Sequence, residues 1–211
     1  MGDHQQVRVL KHPLVLNFLT EVRDQRANRA TVRHHIQALA VLLFYEATRD
    51  LPTEPIRVQT PLAETDGGFV RATVGLVPIL RAGLGMVDGI LEMLPDAKVF
   101  HLGIFRDERT LEPVEYYSKL SQHAPVDVAY VLDPMLATGG SASAAVSRLK
   151  EWGVKEIKYL GIFAAPEGIS KLTQDHPDVG IHVAAVDEKL NANGYIVPGF
   201  GDAGDRQFSG N

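Results

Sequence analysis

Apolar residues recur every three or four positions in two stretches near the beginning of the chain, which is the period of an amphipathic helix. The first stretch follows Pro13 and contains Leu14, Phe18 and Val22. The second follows Thr31, a candidate N-cap, and its apolar positions are Val32, Ile36, Leu39, Leu43 and Ala47. We predict a helix in each stretch. The next region, Ile56 to Phe69, is interrupted by Pro61 and by Gly67-Gly68 and predicts short strands joined by a turn.

From residue 72 onward, apolar strand-like runs alternate with helical patterns. The predicted strands are Ala72–Leu80, Lys98–Phe105, Val126–Leu132, Ile157–Ala164 and Gly180–Val186. The predicted helices are Leu84–Leu94, Ser141–Trp152 and Pro166–Asp175. Strands that are apolar almost throughout and alternate with helices indicate a mainly parallel sheet covered on both faces. The sequence therefore predicts one doubly wound α/β domain over residues 1–211, with additional structure at each end.

In a doubly wound sheet the ligand binds beyond the carboxyl ends of the strands. Candidate functional residues are therefore expected in the loops that follow Leu80, Phe105, Leu132, Ala164 and Val186.

Composition restricts the classes of function. The 211 residues are 45% apolar and 22% charged, with a formal net charge of −5 and no cysteine, so a nucleic acid or membrane partner is not expected. Disulfides and cysteine-ligated zinc are excluded. The first ten residues do not resemble a signal peptide, and no apolar run approaches the roughly 18 residues of a membrane span. A cytoplasmic protein is expected.

The loop after Leu132 carries the clearest chemistry. Small residues from Thr138 to Ser141 stand at the beginning of a predicted helix, where free N–H groups and the helix dipole favour an anion such as phosphate. Asp133, at the end of the strand, is placed to accept hydrogen bonds from sugar hydroxyls. A turn at Gly139-Gly140 with Asp133 as a cap is the alternative interpretation, but the combination of an upstream acid and a glycine-rich helix start favours phosphate binding.

This loop resembles the PRPP-binding signature of type I phosphoribosyltransferases, and Pro134 in place of a second acid is similar to the uracil-specific branch. Other segments resemble uracil phosphoribosyltransferases in the same order along the chain. They are Tyr45–Ala47, Val77–Gly85, Thr110–Pro113, Ala164–Gly168, Asn193–Tyr195 and the stretch up to Asp205. The resemblance implies a type I phosphoribosyltransferase fold with N-terminal helices and a C-terminal hood over the base. It also implies transfer of the phosphoribosyl group of PRPP to uracil, which gives UMP and pyrophosphate.

The resemblance further implies roles for individual residues. Asp133 and Asp202 would be catalytic, and Ile196, Gly201, Asp202 and Ala203 would bind uracil. PRPP would contact Arg81, Arg106, Asp133, Pro134, Met135, Leu136, Ala137, Thr138, Gly139, Gly140, Ser141 and Asp202. A cis peptide is expected at Leu80-Arg81. Mg²⁺ is the expected cofactor, held mainly through PRPP rather than by a protein cage.

The charged run from Arg106 to Thr110 fits either a solvated loop or a mobile flap over the site; Arg109 is a secondary candidate for PRPP contact. Near the C-terminus, Gly199, Gly201 and Gly204 match the spacing of a dinucleotide fingerprint. That fingerprint requires a preceding strand, a following helix and an acidic residue about 20 positions further on, and only seven residues follow Gly204. These glycines instead favour close approach of the backbone to a planar base.

Several alternatives remain at this point. The eight histidines form no metal-ligand spacing. An RNA-binding regulator with the PRPP fold, or a transferase for another base, are the competing functions. The resemblance also suggests a homodimer or higher oligomer, and leaves open activation by GTP, as in some relatives.

Overall fold

The computed structural model describes residues 7–106, 113–118, 120 and 124–209; side chains at 105, 106, 113–116 and 118 lie outside the description. Among these residues, the strands are β1 (Val7–Val9), β2 (Thr53–Gln59), β3 (Glu64–Val70), β4 (Val74–Leu80), β5 (Lys98–Val99), β6 (Leu102–Arg106), β7 (Pro113–Ser118), β8 (Val128–Leu132), β9 (Met135–Leu136), β10 (Glu156–Ala164), β11 (Gly180–Val186), β12 (Lys189–Leu190) and β13 (Ile196–Val197).

The helices are α1 (Pro13–Arg23), α2 (Arg29–Ala47), α3 (Val87–Met93), α4 (Gly140–Trp152), α5 (Pro166–Asp175) and α6 (Ala203–Gln207), with a 3₁₀ helix at Ala82–Met86. No helix in the described ranges combines the length and apolar character needed to cross a membrane.

The main sheet is predominantly parallel, in the order β1-β11-β10-β8-β4-β6-β7, with β5 beside β4 and β9 beside β10. The exception is β7, which runs antiparallel to β6. Two apolar cores cover the sheet: one contains α1, α2 and α3, the other α4 and α5. The predicted doubly wound α/β class is confirmed, because strands buried on both faces need a helical layer on each side.

Both N-terminal helices are confirmed, but two details of the prediction are wrong. In α1 the buried residues are Val15, Leu19 and Val22, while Leu14 is 53% exposed. Several apolar positions lie in this short helix, so spacing alone did not identify the buried face. The N-cap of α2 is Asn28, whose side chain accepts a hydrogen bond from the Thr31 N–H.

The predicted strand pair between the helices and the sheet is the antiparallel hairpin β2–β3. Its turn lies at Thr60–Ala63, closed by the Thr60 N–H donating to the Ala63 carbonyl at 2.9 Å. Gly67-Gly68, predicted to interrupt the region, instead lies inside β3.

Two predicted elements are divided in the structure. The strand Lys98–Phe105 is interrupted at Phe100-His101, where the Phe100 ring packs edge-on against Trp152 at 4.8 Å. The helix Leu84–Leu94 begins as the 3₁₀ turn before α3. A Cβ on Gly83 would lie 2.3 Å from the Leu132 carbonyl oxygen, so this turn packs its backbone directly against β8.

Candidate active site

A cleft of about 250 Å³ lies at the carboxyl edge of the sheet. It brings together the loop after β8 and the C-terminal segment, which are some sixty residues apart in sequence. Its lining residues are Ala82, Asp133, Met135, Leu136, Ala137, Thr138, Gly139, Ser141, Ala142, Gly194, Tyr195, Ile196, Gly201, Asp202, Ala203 and Gly204. Most of the sequence-predicted site residues therefore line one cavity.

The predicted phosphate loop leads directly into α4. Gly139 is the N-cap residue and has φ of 82°, a left-handed conformation that glycine adopts without steric cost. Thr138 and Ser141 both line the cleft, beside the free N–H groups of the first helical turn. This end of the cleft has the donors and the dipole orientation that suit an anion such as phosphate.

A short strand inside this loop was not predicted from the sequence. Met135 and Leu136 form β9, which pairs with Phe163 and Ala164 of β10. The Ala165 N–H also donates to the Leu136 carbonyl at 2.9 Å. These hydrogen bonds fix the backbone of the loop before its glycines begin.

Helix α5 packs against the backbone of the same loop. A Cβ on Gly168 would lie 2.5 Å from the carbonyl oxygens of both Leu136 and Ala137, and a Cβ on Gly139 would lie 2.8 Å from the Gly168 carbonyl oxygen. The two backbones are therefore in direct contact, and no side chain fits between them.

Asp133 stands at the end of β8 and lines the cleft; the residue as a whole is half-buried. Its Oδ1 accepts a hydrogen bond from the Met135 N–H at 3.2 Å, and its carbonyl oxygen accepts one from the Tyr159 hydroxyl at 3.0 Å. Burial raises the pKa of Asp133 to about 7, against the smaller lowering effect of the Met135 N–H. The group is thus poised to change charge near neutrality.

The opposite wall of the cleft is the hood segment, residues 189–205. It begins as the hairpin β12–β13, passes through a cis peptide at Val197-Pro198, and continues through Gly199 and Gly201, which both have positive φ. The predicted base contacts Ile196 and Ala203 are 3% and 5% exposed. Phe200, also in this segment, packs against Phe163 in the core, with 5.0 Å between the ring centroids.

Arg81 follows β4 through the predicted cis peptide at Leu80-Arg81, which is confirmed. Its guanidinium forms an ion pair with Asp205 at 3.1 Å, and both side chains are about half exposed. It also approaches the hood at Gly204, where a Cβ would lie 3.4 Å from the Arg81 Nη2 atom. Arg81, predicted to contact PRPP, therefore also adjoins the segment predicted to bind the base.

Asp202 lies at the cleft and caps α6, because its Oδ1 accepts a hydrogen bond from the Asp205 N–H at 2.8 Å. Arg106 ends β6 at the carboxyl edge, but its side chain and the whole of the predicted flap at 107–110, with Arg109, lie outside the described residues. No group of three or more potential metal ligands occurs within the described ranges.

Three part-buried hydrogen bonds that hold α6, at the end of the hood, were missed from the sequence. Gln207 is fully buried and donates to the Ala82 carbonyl at 3.0 Å. Arg33 donates to the Gln207 carbonyl at 2.7 Å, and Arg206 donates to the Val22 carbonyl at 2.7 Å. The N-terminal helices therefore position the C-terminal segment, a long-range pairing that no local pattern indicates.

Comparison with known proteins gives a family match over almost the whole chain. The model of the family described as uracil phosphoribosyltransferase matches residues 9–210. A uracil phosphoribosyltransferase of Roseiflexus sp. (strain RS-1) is 57% identical over 96% of this chain and 98% of its own length. One from Bacillus thuringiensis (strain Al Hakam) is 51% identical over 95% and 96% respectively.

Solved structures agree with the fold. A protein of Aquifex aeolicus is 37% identical, with a TM-score of 0.91 over 96% of this chain and 98% of its own. The adenine phosphoribosyltransferase of Trypanosoma brucei, solved with AMP, pyrophosphate and ribose-5-phosphate, is 14% identical with a TM-score of 0.56 over 92% and 89%. The second likeness extends to the fold alone.

Proposed function

The chain belongs to the uracil phosphoribosyltransferase family, and we propose that its cleft transfers the phosphoribosyl group of PRPP to uracil, giving UMP and pyrophosphate. The observation that carries this proposal is the shared cavity. It places a helix N-terminus suited to a phosphate opposite a glycine-containing segment suited to a flat base. Both ends of one nucleotide product can therefore be bound at once.

The 5′-phosphate of PRPP is assigned to the loop from Ala137 to Ser141. The N–H groups at the beginning of α4 donate to its oxygens, and the hydroxyls of Thr138 and Ser141 add two further donors. This binding is made far from the reacting carbon, so it serves to orient the ribose.

The ribose hydroxyls are assigned to Asp133. In its ionised form this carboxylate is an acceptor only, which matches two neighbouring O–H donors. Tyr159 holds the backbone of Asp133 in place through its hydroxyl, so the acceptor is fixed before the substrate arrives.

The leaving diphosphate is assigned to Arg81, with Arg106 as a second candidate. A guanidinium matches phosphate oxygens in a bidentate manner. Arg81 is held by Asp205 at 3.1 Å in a half-exposed ion pair, and such pairs contribute only about 0–1 kcal/mol. A diphosphate can therefore displace Asp205 from Arg81 at little cost.

The reaction breaks the bond between the anomeric carbon and the diphosphate, and forms one to the ring nitrogen of uracil. Positive charge grows on the ribose in the transition state, and no residue has to act as a covalent nucleophile. Proximity and preorganised electrostatics supply the catalysis. Asp202, at the base end of the cleft, is the proposed acceptor of the uracil N–H proton.

Mg²⁺ is proposed to enter with PRPP. Asp133 supplies the oxygen chemistry that this hard cation prefers, while substrate oxygens and water are expected to provide most of its coordination. When bound, the ion would neutralise charge on the diphosphate. A cytoplasmic location also stays a prediction. So does a homodimer or higher oligomer, which sedimentation tests. Activation by GTP is a further prediction, which assays with and without GTP test.

Turnover with PRPP and each of uracil, orotate, hypoxanthine and adenine tests the proposed function. We expect UMP and pyrophosphate to form in equal amounts with uracil, and turnover with the other bases to be weaker by a factor of about 10⁴ or more, as for sites that hydrogen-bond their substrate. Efficient use of another base, or no turnover with uracil, contradicts the proposal.

The base is proposed to be read by backbone groups of the hood, and Gly201→Val tests this. Gly201 has φ of 86°, while a Cβ there would meet only the Arg206 side chain, at 3.6 Å. A valine there would therefore act through backbone strain of about 1–3 kcal/mol rather than by filling the pocket. We expect the KM for uracil to rise about tenfold, and the KM for PRPP to change much less.

Gly153→Val is the matched control, because Gly153 also has positive φ but ends α4 away from the cleft. It should reduce stability without changing the KM for uracil. Equal weakening of uracil and PRPP in Gly201→Val would contradict backbone recognition of the base.

Activity should depend on pH through Asp133. Since its folded pKa is raised to about 7 and the ionised form is the acceptor, kcat/KM for PRPP should rise as pH increases through about 7. The acid limb should be absent in Asp133→Asn.

Linkage gives the opposite sign for stability: ionisation of this buried group makes folding less favourable as pH rises from about 4 to about 7. The melting temperature of Asp133→Asn, relative to that of the parent protein, should therefore be higher at pH 8 than at pH 5.

A further inference from the structure

We infer that the ion pair between Arg23 and Asp187 is a positioning device for base recognition. It holds the hood through the backbone N–H and C=O groups of Gly199. This inference rests on the proposed function, since it concerns how uracil is bound. Neither Arg23 nor Asp187 is among the residues that line the cleft.

The two charged groups make a closed set of hydrogen bonds with the hood. Arg23 forms a bidentate pair with Asp187, with Nη1–Oδ2 at 2.9 Å and Nη2–Oδ1 at 2.6 Å. The Gly199 N–H donates to the same Oδ2 at 2.9 Å, and the Gly199 carbonyl accepts from Arg23 Nη1 at 2.8 Å. The backbone N–H and C=O of Gly199 are thus both fixed by one ion pair.

Each partner is itself anchored elsewhere in the fold. Asp187 follows β11, and its N–H donates to the Ala164 carbonyl at 2.8 Å. Arg23 ends α1, and its guanidinium lies 4.3 Å from the centroid of the Phe163 ring. Helix α1 and two strands of the sheet therefore act together on one point of the hood.

The backbone at that point is tightly packed. Gly199 has φ of 52°, and a Cβ there would lie 2.2 Å from the Ile196 carbonyl oxygen. It stands between Ile196 and Gly201, both of which line the cleft. A rotation of the Gly199 peptide would therefore move the groups on either side that are proposed to face uracil.

The chemistry of the pair explains why a carboxylate is needed at position 187. Asp187 accepts three hydrogen bonds, two from Arg23 and one from Gly199. An amide has one oxygen and an NH₂ group that can only donate. In Asp187→Asn at least one of these donors would face the NH₂ group, and the Arg23 charge would lose its buried partner.

The test is steady-state kinetics of Asp187→Asn with both substrates varied. We expect the KM for uracil to rise about tenfold, because small displacements of positioned groups are costly, while the KM for PRPP stays within about twofold. The phosphate loop is held separately by β9 and α5. Arg23→Lys retains the charge but not the planar fork, and should shift the same KM in the same direction by less.

Asp50→Asn is the matched control. It breaks the ion pair between Asp50 and the buried Lys158, which lies near the amino end of β10 and so away from the carboxyl ends of the strands. It should lower thermal stability while leaving both KM values at the parental level.

The double variant of Arg23→Lys with Asp187→Asn should raise the KM for uracil by less than the product of the two single effects, since both act on one unit. A KM for uracil unchanged in Asp187→Asn, or raised together with that for PRPP, overturns the inference. If Asp187→Asn does not fold, the KM ratio in Arg23→Lys decides the question alone. Absence of uracil turnover in the parent protein would instead overturn the proposed function.

Discussion

Replacing Gly168 with alanine is expected to raise the KM for PRPP by about a hundredfold, the cost of displacing a positioned site by about 1 Å. The added Cβ would lie 2.5 Å from the carbonyl oxygens of Leu136 and Ala137, and both contacts are to backbone that has no rotamer to change. The phosphate loop must therefore move away from α5, and the N–H groups at the beginning of α4 lose their alignment.

Gly180→Ala is the matched control for this substitution. A Cβ there would meet its nearest neighbour, the His182 ring, at 3.6 Å, which is ordinary contact. It should leave the KM for PRPP unchanged. The neighbours of a Cβ on Gly168 are the backbone atoms of Leu136 and Ala137, not the hood. The KM for uracil at saturating PRPP should therefore change far less in Gly168→Ala. An unchanged KM for PRPP would contradict the role of α5.

Asp133→Asn is expected to fold normally and to lower kcat/KM for PRPP by ten- to a hundredfold. The substitution preserves size but removes a charged acceptor, and hydrogen bonds to charged groups contribute about 1.5–3 kcal/mol. Since burial raises the pKa of Asp133, removal of the charge should not destabilise the protein at pH 8.

The measurement is kcat/KM at saturating Mg²⁺, with thermal unfolding as the check on folding. The control is Asp127→Asn, which also replaces a carboxylate that accepts a backbone hydrogen bond, here from the Thr73 N–H at 2.6 Å, at the amino end of β8. That variant should retain activity. A parental rate in Asp133→Asn would show that the ribose hydroxyls are bound elsewhere.

Local patterns were sufficient to predict the sheet and the position of the glycine-rich loop that leads into α4. Buried parallel strands such as β8 and β10 give continuous apolar runs, and a glycine-rich helix start after a strand has a direct physical meaning. The buried face of α1 was harder to predict, because the apolar residues of this helix extend beyond the one row that is buried. Thr31 was a reasonable cap by residue type, but Asn28 occupies that position three residues earlier.

The supports of the site could not be predicted in the same way. The contacts of Arg23 with Asp187 and of Gly168 with Leu136 depend on where elements distant in sequence meet in the fold. From the sequence alone, a charged residue after a strand or helix is interpreted as solvated. A glycine near the beginning of a helix is likewise interpreted as part of a turn. Only the assembled backbone reveals that these residues fix the two walls of the cleft.

A crystal structure of the protein with UMP bound is the most direct measurement of the central claim, that one cleft binds both ends of the nucleotide. The account predicts the 5′-phosphate against residues 137–141 at the beginning of α4, the ribose hydroxyls at Asp133, and the uracil edge against backbone groups of residues 196–203. A phosphate bound away from α4, or a base recognised outside the hood, would contradict it.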